Sequence, residues 1–354
     1  MSDTDQEQKA EAINDQEALK QLAHLTENYV PEATWTVGGA FRYDRALKLI
    51  GNYLGAHLGV RRLDNVMGAP PCLWTLDWFV QRRPIAFDRY TSLLEEYAKM
   101  NIGVHLVFDN PFISDADLED PYGMMLVQEL LKHNQNHRNA ISVASDKLRD
   151  KILTAVPGAP VLCHYNRLVA EPGRRTAALY NQLAQRYARV ALHPADAVKP
   201  AILDAIQEPA RFDVVINDSC LRTCPVRKDH LRLLAAMRKD AYDVQLMQQR
   251  ANLIARTECQ KQDPAELHQK QSGNLTHDEI RALFNRGMRH YLIQSSQFRN
   301  EMTLLWDVFQ CMLDRSPELS NKAAVISTSA MAEFGRAKDQ LPSGLTDFSF
   351  TNYE

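Results

Sequence analysis

The stretch "FDVVINDSCLRTCPVRKDH" (residues 212–230) contains one strand-to-helix unit of the predicted fold. Its start, residues 212–216, is a largely apolar run, and polar residues, two cysteines and the first turn of a predicted helix follow it. Apolar side chains at successive positions are typical of a strand that is buried on both faces of a parallel sheet. Seven further runs of this type occur, at 34–39, 71–76, 102–108, 139–145, 159–165, 189–194 and 289–295.

Helical patterns, with apolar residues at i, i+3 and i+4, fill most of the intervals between these runs. Strands that alternate with helices predict right-handed βα units, and eight units favour an α/β fold of the (β/α)8 TIM-like barrel type. An open doubly wound sheet is the alternative, but no glycine-rich phosphate-binding turn follows any run. The helical patterns cover residues 43–58, 87–100, 122–133, 145–156, 175–187, 196–206 and 276–287.

The domain organisation is predicted from where the alternation of strands and helices begins, is interrupted and ends. Residues 1–30 are polar and acidic and predict a flexible segment, and residues 31–315 form the predicted barrel. Residues 231–274 interrupt the repeat with a long helical pattern, which predicts a helical insertion before the last strand. Residues 316–354 carry no βα pattern and are predicted to be a C-terminal tail.

Composition excludes several function classes. The formal net charge of −3 leaves no overall basic footprint for nucleic acid. No apolar run approaches the roughly 18 residues of a membrane span, and the polar N-terminus does not resemble a signal peptide. We therefore predict a cytoplasmic protein, in which the six cysteines are not a disulfide framework.

The pair Cys220 and Cys224 raises the main chemical question. A zinc site is typically built from CxxC pairs, and a thioredoxin-type redox site also needs CxxC, whereas this spacing is CxxxC. Radical-SAM enzymes use CxxxCxxC, but Arg227 stands where the third cysteine would be. An iron–sulfur cluster, a zinc site and unmetallated thiols all remain open at this point.

A cluster held by separate loops would need about four thiolates. Cys259 lies in the predicted insertion and is the candidate third ligand. Cys72 and Cys163 both lie near predicted strand ends, on the face where the chemistry of such barrels sits, and either is the candidate fourth ligand.

Four further residues are candidate catalytic groups at the same ends of the strands. Arg227 carries a guanidinium fork that suits an anionic ligand. His193 follows a strand and is either a loop histidine or a general acid or base at the barrel mouth, and His164 also follows a strand. His230 and Arg227 are alternatively the first turn of the following helix.

Residues 211–230 and 275–299 resemble two landmarks of the collagenase-like peptidase family. The resemblance implies a (β/α)8-like barrel in which, in several relatives, four cysteines bind a [4Fe–4S] cluster. Some relatives hydroxylate ubiquinone precursors, tRNA or ribosomal RNA without molecular oxygen. By motif Cys220 and Cys224 match the family's pair, and Cys72 and Cys259 complete the implied ligand set by order.

The second landmark departs from the family pattern. Leu292 stands where the family usually has lysine, Ser295 and Ser296 replace its Gly-Arg, and Arg299 is displaced. The family's substrate-facing positions are therefore altered in this chain, which separates it from the standard activity and substrate.

The predicted function is that of an iron–sulfur barrel with redox-linked, hydroxylase-like activity on a small anionic or nucleic-acid-derived substrate. Cys72, Cys220, Cys224 and Cys259 would hold the cluster. Arg227 and His230 would flank it, and His193 and His164 would line the barrel mouth. The alternative is a non-catalytic barrel that acts as an interaction or structural component with a protein partner. A peptidase is the weaker alternative, since no catalytic triad or HExxH motif stands out.

Overall fold

The computed structural model covers the barrel and most of its helices. It describes residues 30, 32–48, 50–51, 63–76, 85–134, 137–171, 173, 175–218, 220–240, 243–257, 274–294, 304, 308, 311 and 312. The predicted acidic segment up to residue 29, the tail 316–354, Cys259 and Arg299 lie outside the described residues. The proposed domain limits therefore stay predictions.

Eight parallel strands form a closed barrel in which each strand pairs with its neighbours in sequence order. The last strand pairs with the first and closes the barrel. The prediction of a (β/α)8 TIM-like barrel is confirmed. The strands are β1 (Thr34–Gly38), β2 (Leu63–Gly68), β3 (Gly103–Phe108), β4 (Ala140–Val143), β5 (Val161–Cys163), β6 (Val190–Ala191), β7 (Phe212–Asn217) and β8 (His290–Ile293).

Helices follow most of the strands, and the described helices include none that is long and apolar enough to cross a membrane. Residues 44–48 and 50–51 are also helical. The other helices are α1 (Phe87–Lys99), α2 (Pro121–Lys132), α3 (Asp146–Ala155), α4 (Asn166–Ala170), α5 (Ala177–Arg186), α6 (Pro200–Leu203), α7 (Arg227–Lys239), α8 (Val244–Ala255) and α9 (His277–Asn285).

Two apolar layers hold the fold together, because side chains alternate between the two faces of each strand. Outward-facing residues such as Val214 and Phe108 pack against the helices in one large cluster. A smaller cluster fills the barrel interior and contains Met67, Ala191 and Val215. The interior cluster lies below the carboxyl ends of the strands, and its packed side chains support the residues at those ends.

The second strand was predicted at the wrong place. The structure has β2 at Leu63–Gly68, whereas the predicted run 71–76 forms a turn after it. The strand was missed because Asp64 and Asn65 make it look polar. The structure satisfies both side chains: the Asp64 carboxylate accepts a hydrogen bond from the Trp35 backbone N–H (3.1 Å), and the Asn65 amide donates to Thr36 Oγ1 (3.4 Å).

The helix predicted at residues 196–206 is much shorter in the structure. Only Pro200–Leu203 is helical. Proline has no backbone N–H and disfavours helical geometry at the preceding residue, so it begins a helix more readily than it continues one. Lys199, directly before it, is extended, with φ −101° and ψ 107°.

Helices α7 and α8 occupy the first part of the predicted insertion. α7 begins at Arg227, earlier than the predicted limit of 231, and it follows β7 as the helix of that βα unit. α8 has no buried residue, and it exposes Val244 and Met247. Residues 258–273 of the predicted insertion lie outside the part of the chain that the structure describes.

Replacing Gly123 with valine should lower the free energy of unfolding by about 1–3 kcal/mol, because overpacking forces shifts in a closely packed core. A Cβ on Gly123 would lie 2.6 Å from Cε3 of Trp74. The indole cannot easily move, since Trp74 is fully buried and its Nε1–H donates to the Asp117 carbonyl (2.8 Å).

Urea unfolding of Gly123→Val and of the unmodified protein measures this difference. Gly173→Val is the control, because no atom of the described residues lies within 4 Å of a Cβ at that position. We expect its effect to stay within about 0.5 kcal/mol. Equal stabilities of the two variants would contradict the predicted clash.

Candidate functional site

At the carboxyl ends of the strands, four polar side chains lie near the aromatic ring of Tyr165. We call these five residues the mouth cluster, and they follow β5, β6 and β7 or begin α7. Its members are His164, Tyr165, His193, Asp218 and Arg227. All five are buried, with exposed fractions between 2% and 7%. The active sites of (β/α)8 enzymes lie at this end of the barrel.

A buried ion pair joins the end of β7 to the first residue of α7. Arg227 Nη1 donates to Asp218 Oδ2 at 2.6 Å. Burial opposes the charge of Arg227, but the Asp218 carboxylate, through its charge and its hydrogen bond, raises the pKa of the guanidinium, so it stays charged. Arg227 Nε is also buried and has no hydrogen-bond partner in the described part of the chain. The arginine therefore retains a buried N–H donor for which the described residues offer no acceptor.

Tyr165 is the centre of the mouth cluster. The Arg227 guanidinium lies 5.2 Å from its ring centroid, within the range of a cation–π contact. The ring centroids of His164 and His193 lie 4.4 Å and 6.3 Å from that of Tyr165. Burial, together with the negative charge of Asp218, raises the pKa of the Tyr165 phenol, which is therefore neutral.

The two histidines share the same hydrogen-bonding arrangement. His164 Nδ1 accepts from the backbone N–H of Asn166 (3.2 Å), and His193 Nδ1 accepts from that of Ala195 (3.1 Å). Burial and the positive charge of Arg227 lower the pKa of His164 to about 3 and that of His193 to about 2. Both rings are therefore neutral at pH 7, and each carries its proton on Nε2.

A second buried network supports the loop that carries His193. The Tyr180 hydroxyl accepts from the His193 backbone N–H (3.1 Å) and donates to Asp196 Oδ2 (2.9 Å). Asp196 is fully buried, and Lys199 Nζ and Arg175 Nε lie 2.8 Å and 3.3 Å from its carboxylate oxygens. Because these contacts compensate the buried charge, they hold the loop in one conformation.

Cys220 and Cys224 lie on the loop between β7 and α7, beside the mouth cluster. Neither is in a disulfide, and the two thiols interact closely enough to shift each other's pKa. The Cys220 side chain, the backbone N–H groups of Val226 and Arg227 and the Arg227 charge lower the pKa of Cys224 to about 6. The interaction with Cys224, together with burial, raises the pKa of Cys220. The two thiols therefore titrate as a pair, and the first proton leaves the pair at a lowered pKa.

Cys72 lies apart from this pair. It is part of the turn after β2, not of a strand, and its carbonyl accepts from Arg238 Nε (3.0 Å) near the end of α7. At about 1.5 Å per residue, Arg238 lies about 16 Å along the helix from Arg227. Burial raises the pKa of Cys72 to about 12, so its thiol is protonated.

The other candidate ligands are also placed elsewhere or lie outside the described residues. Cys163 is an outward-facing residue of β5 that packs in the cluster between barrel and helices. Burial raises its pKa. Cys259 lies outside the described residues. In the part of the chain that the structure describes, no group of three or more His, Cys, Asp and Glu side chains could hold a metal ion.

His230 is directed toward α8 and not toward the mouth cluster. It lies one turn after Arg227 on α7, and its Nε2 accepts from Arg250 Nε (3.3 Å). Burial and the charges of Arg250 and Arg227 lower its pKa to about 4. The structure therefore brings together three of the four predicted catalytic residues, His164, His193 and Arg227, and two of the four predicted ligands, Cys220 and Cys224.

Tyr165 and the pairing of Asp218 with Arg227 are features of the site that the sequence patterns did not predict. Tyr165 directly follows His164 at the end of β5, so its position after a buried strand was a signal for both. Asp218 follows β7 in the same way. Its partner nine residues later depends on how the intervening loop folds, and this is not visible in the spacing.

Comparison with known proteins finds a distant structural neighbour. A solved structure described as that of the U32 peptidase Mk0906 is similar to this chain with a TM-score of 0.45 and 10% sequence identity. The match covers 75% of this chain and 94% of that one. No family model matches the sequence, and no curated protein matches it. At this similarity, membership of the collagenase-like family stays a prediction, and the barrel rests on the strand pairing itself.

Proposed function

We propose that the barrel mouth carries out redox-linked chemistry on a small anionic substrate, with Cys220 and Cys224 as the redox-active group. The observation that carries this proposal is the pair of free thiols on the loop between β7 and α7, directly before the buried Arg227. A thiol of lowered pKa that is partly exposed at a helix N-terminus is typical of reactive cysteines. Cys224 is half-buried, lies three residues before the first residue of α7, and has a lowered pKa.

The thiol pair can supply electrons in two ways. As a dithiol, it loses two protons and two electrons when the bond between the two sulfurs forms, and a disulfide compound would accept them. As a pair of thiolates, it can be half of the ligand set of a [4Fe–4S] cluster, which supplies one-electron chemistry when bound. Lowering of the Cys224 pKa favours either use, because the thiolate is both the nucleophile and the metal ligand.

The cluster needs about four thiolates, and the described residues bring two together. Cys259 would have to provide the third from outside the described range, and Cys72 lies near the other end of α7. What the chain's own residues do is hold the thiol pair beside a positive charge and exclude water from the ring of Tyr165.

The substrate is proposed to be anionic because Arg227 keeps a buried donor without a partner in the described part of the chain. An exposed basic surface is not needed for a small anion, so the net charge of −3 is compatible with this proposal. Hydroxylase-like chemistry and a nucleic-acid-derived substrate are the finer form of the proposal, and they derive from the family resemblance.

Anaerobic purification followed by iron, sulfide and free-thiol analysis tests the redox group. We expect about four irons per chain, and we expect Cys220→Ser and Cys224→Ser to remove them. Cys311→Ser should retain the iron, since Cys311 packs against the apolar cluster between barrel and helices. Cys72→Ser tests whether that cysteine contributes.

The possible results separate the alternatives. An iron-free protein in which Cys220 and Cys224 form a reversible disulfide would retain the redox proposal and exclude the cluster. An iron-free protein whose thiols exchange no electrons with a disulfide buffer would exclude both forms. The non-catalytic interaction protein would then be the better explanation of this barrel.

A further inference from the structure

We propose that the mouth cluster binds an oxyanion, a carboxylate or phosphate group, through Arg227 Nε–H and the Nε2–H groups of His164 and His193. The inference rests on the anionic substrate proposed above and names the groups that hold it. It assigns the two histidines as neutral hydrogen-bond donors, in place of the general acid or base that the sequence suggested.

Arg227 provides the charged donor. Its Nη1 is occupied by Asp218, which fixes the plane of the guanidinium, and its Nε is buried without a partner in the described part of the chain. Buried polar groups are nearly always hydrogen-bonded in folded proteins, so an unpartnered one requires an explanation. A bound oxyanion would satisfy it with a charge-assisted hydrogen bond.

The histidines provide neutral donors. Backbone N–H groups two residues later occupy the Nδ1 atoms of His164 and His193. The proton of each neutral ring is therefore on Nε2. In this tautomer neither ring has a free nitrogen lone pair, so neither can accept a proton from a substrate without first losing its backbone hydrogen bond.

The three donors surround the same ring. The guanidinium carbon of Arg227 and the ring centroids of His164 and His193 lie between 4.4 Å and 6.3 Å from the Tyr165 ring centroid. Asp109 follows β3 at the same end of the barrel, but its carboxylate accepts the Leu76 backbone N–H (2.8 Å) and is thereby engaged. Asp218 is engaged by Arg227. Within the mouth cluster, the buried atom that lacks a partner in the described part of the chain is a donor, Arg227 Nε, which suits an anion. The neighbouring Asn166 Oδ1 is a buried acceptor that also lacks a partner there, and a hydroxyl group of the ligand or a water would satisfy it.

The charges near His193 keep its ring neutral. Arg175 and Lys199 act on the ring of His193, as Arg227 does, and all three disfavour its protonated form. Arg175 and Lys199 are themselves paired with the Asp196 carboxylate, so the charged donor that the site offers to an anion is Arg227.

Calorimetric titration with inorganic phosphate and with acetate tests the site, and the two probes distinguish a phosphate from a carboxylate ligand. We expect at least one to bind. We expect the double variant Arg227→Gln/Asp218→Asn, which removes both charges, to weaken that binding by about tenfold or more, since a charged hydrogen bond is lost. The two single charges are removed together so that neither is left buried and unpaired.

The matched control is Arg189→Gln/Asp213→Asn. That ion pair (2.7 Å), in which Asp213 is buried and Arg189 partly exposed, lies at the opposite end of the barrel, where β6 and β7 begin. It should leave probe binding unchanged. Equal binding by both double variants, or no binding of either probe to the unmodified protein, would overturn the proposal.

Nitrogen NMR of histidine-labelled protein gives an independent readout at pH 7. The resonances of His164 and His193 should show Nε2–H tautomers with unprotonated Nδ1, and the bound probe should shift the Nε2 signals. Protonated rings or Nδ1–H tautomers would overturn the assignment of neutral donors. Cys220→Ser should bind the probe normally, so failure of the redox chemistry and failure of this site are distinguishable.

Discussion

Arg227→Met should lower the free energy of unfolding by about 3–5 kcal/mol, because it leaves the Asp218 carboxylate buried and uncompensated. Asp218 is 2% exposed and Arg227 is 6% exposed, so water cannot take the place of the missing partner without opening the loop. Urea unfolding at pH 7 measures the difference. The double variant Arg227→Met/Asp218→Asn should recover most of the loss, since the amide no longer carries a charge.

Arg232→Met on the same helix is the matched control. Arg232 also forms an ion pair, with Asp229 at 3.2 Å, but both side chains are more than half exposed. Surface pairs of this kind contribute little, so we expect a change within about 0.5 kcal/mol. Equal losses in Arg227→Met and Arg232→Met would mean that the buried pair contributes no more to stability than a solvated one, and the prediction would be wrong.

The fold was predictable because the same pattern, the apolar run of a buried strand, recurs along the sequence. Seven of the eight strands are visible in the sequence as apolar runs, since a parallel sheet buries both faces of each strand. β2 is the exception, since Asp64 is the additional residue of a bulge between Trp35 and Thr36 in the pairing with β1. A bulge places a polar side chain where simple alternation does not expect one, and the Asp64 carboxylate is satisfied by a backbone N–H that the sequence does not reveal.

That one wrong strand also affected the predicted ligand set. Cys72 became a candidate because residues 71–76 were assigned to a strand, whose end would point to the mouth. In the structure the neighbouring Trp74 packs into the core at a right angle to Phe108, with ring centroids 5.0 Å apart. Cys72 thus belongs to a turn that is anchored by this packing, and its position follows from tertiary contacts of the indole.

The sequence predicted where the two histidines of the mouth cluster lie, but not their tautomer or their pKa. A histidine directly after a buried strand of a barrel lies at its mouth, and His164 and His193 do so. Which ring nitrogen carries the proton depends on the backbone N–H groups of Asn166 and Ala195, and thus on loop geometry. A general acid or base needs a pKa near the working pH, whereas burial and Arg227 move both pKa values far below it.

Cys224 should react with a disulfide reagent at pH 6 about tenfold faster than a thiol of ordinary pKa in the reduced, iron-free protein. With a pKa of about 6, about half of Cys224 is thiolate at that pH. A thiol of pKa 8.5 is only about 0.3% thiolate there. The intrinsic nucleophilicity of a thiolate falls as its pKa falls, by roughly tenfold over this range, which leaves the net advantage at about tenfold.

The rate of the reaction measured against pH gives the titration midpoint of Cys224, and two substitutions at one position test its cause. Cys220→Ala removes the hydrogen-bond donor and should raise the midpoint by about one to two pH units, the equivalent of one hydrogen bond to a charged group. Cys220→Ser keeps a donor and should retain a lowered midpoint. If alanine and serine gave the same midpoint as cysteine, the helix N-terminus and Arg227 alone would hold the thiolate. The pair would then have no shared proton, and Cys224 would act as a single reactive thiol beside the mouth cluster.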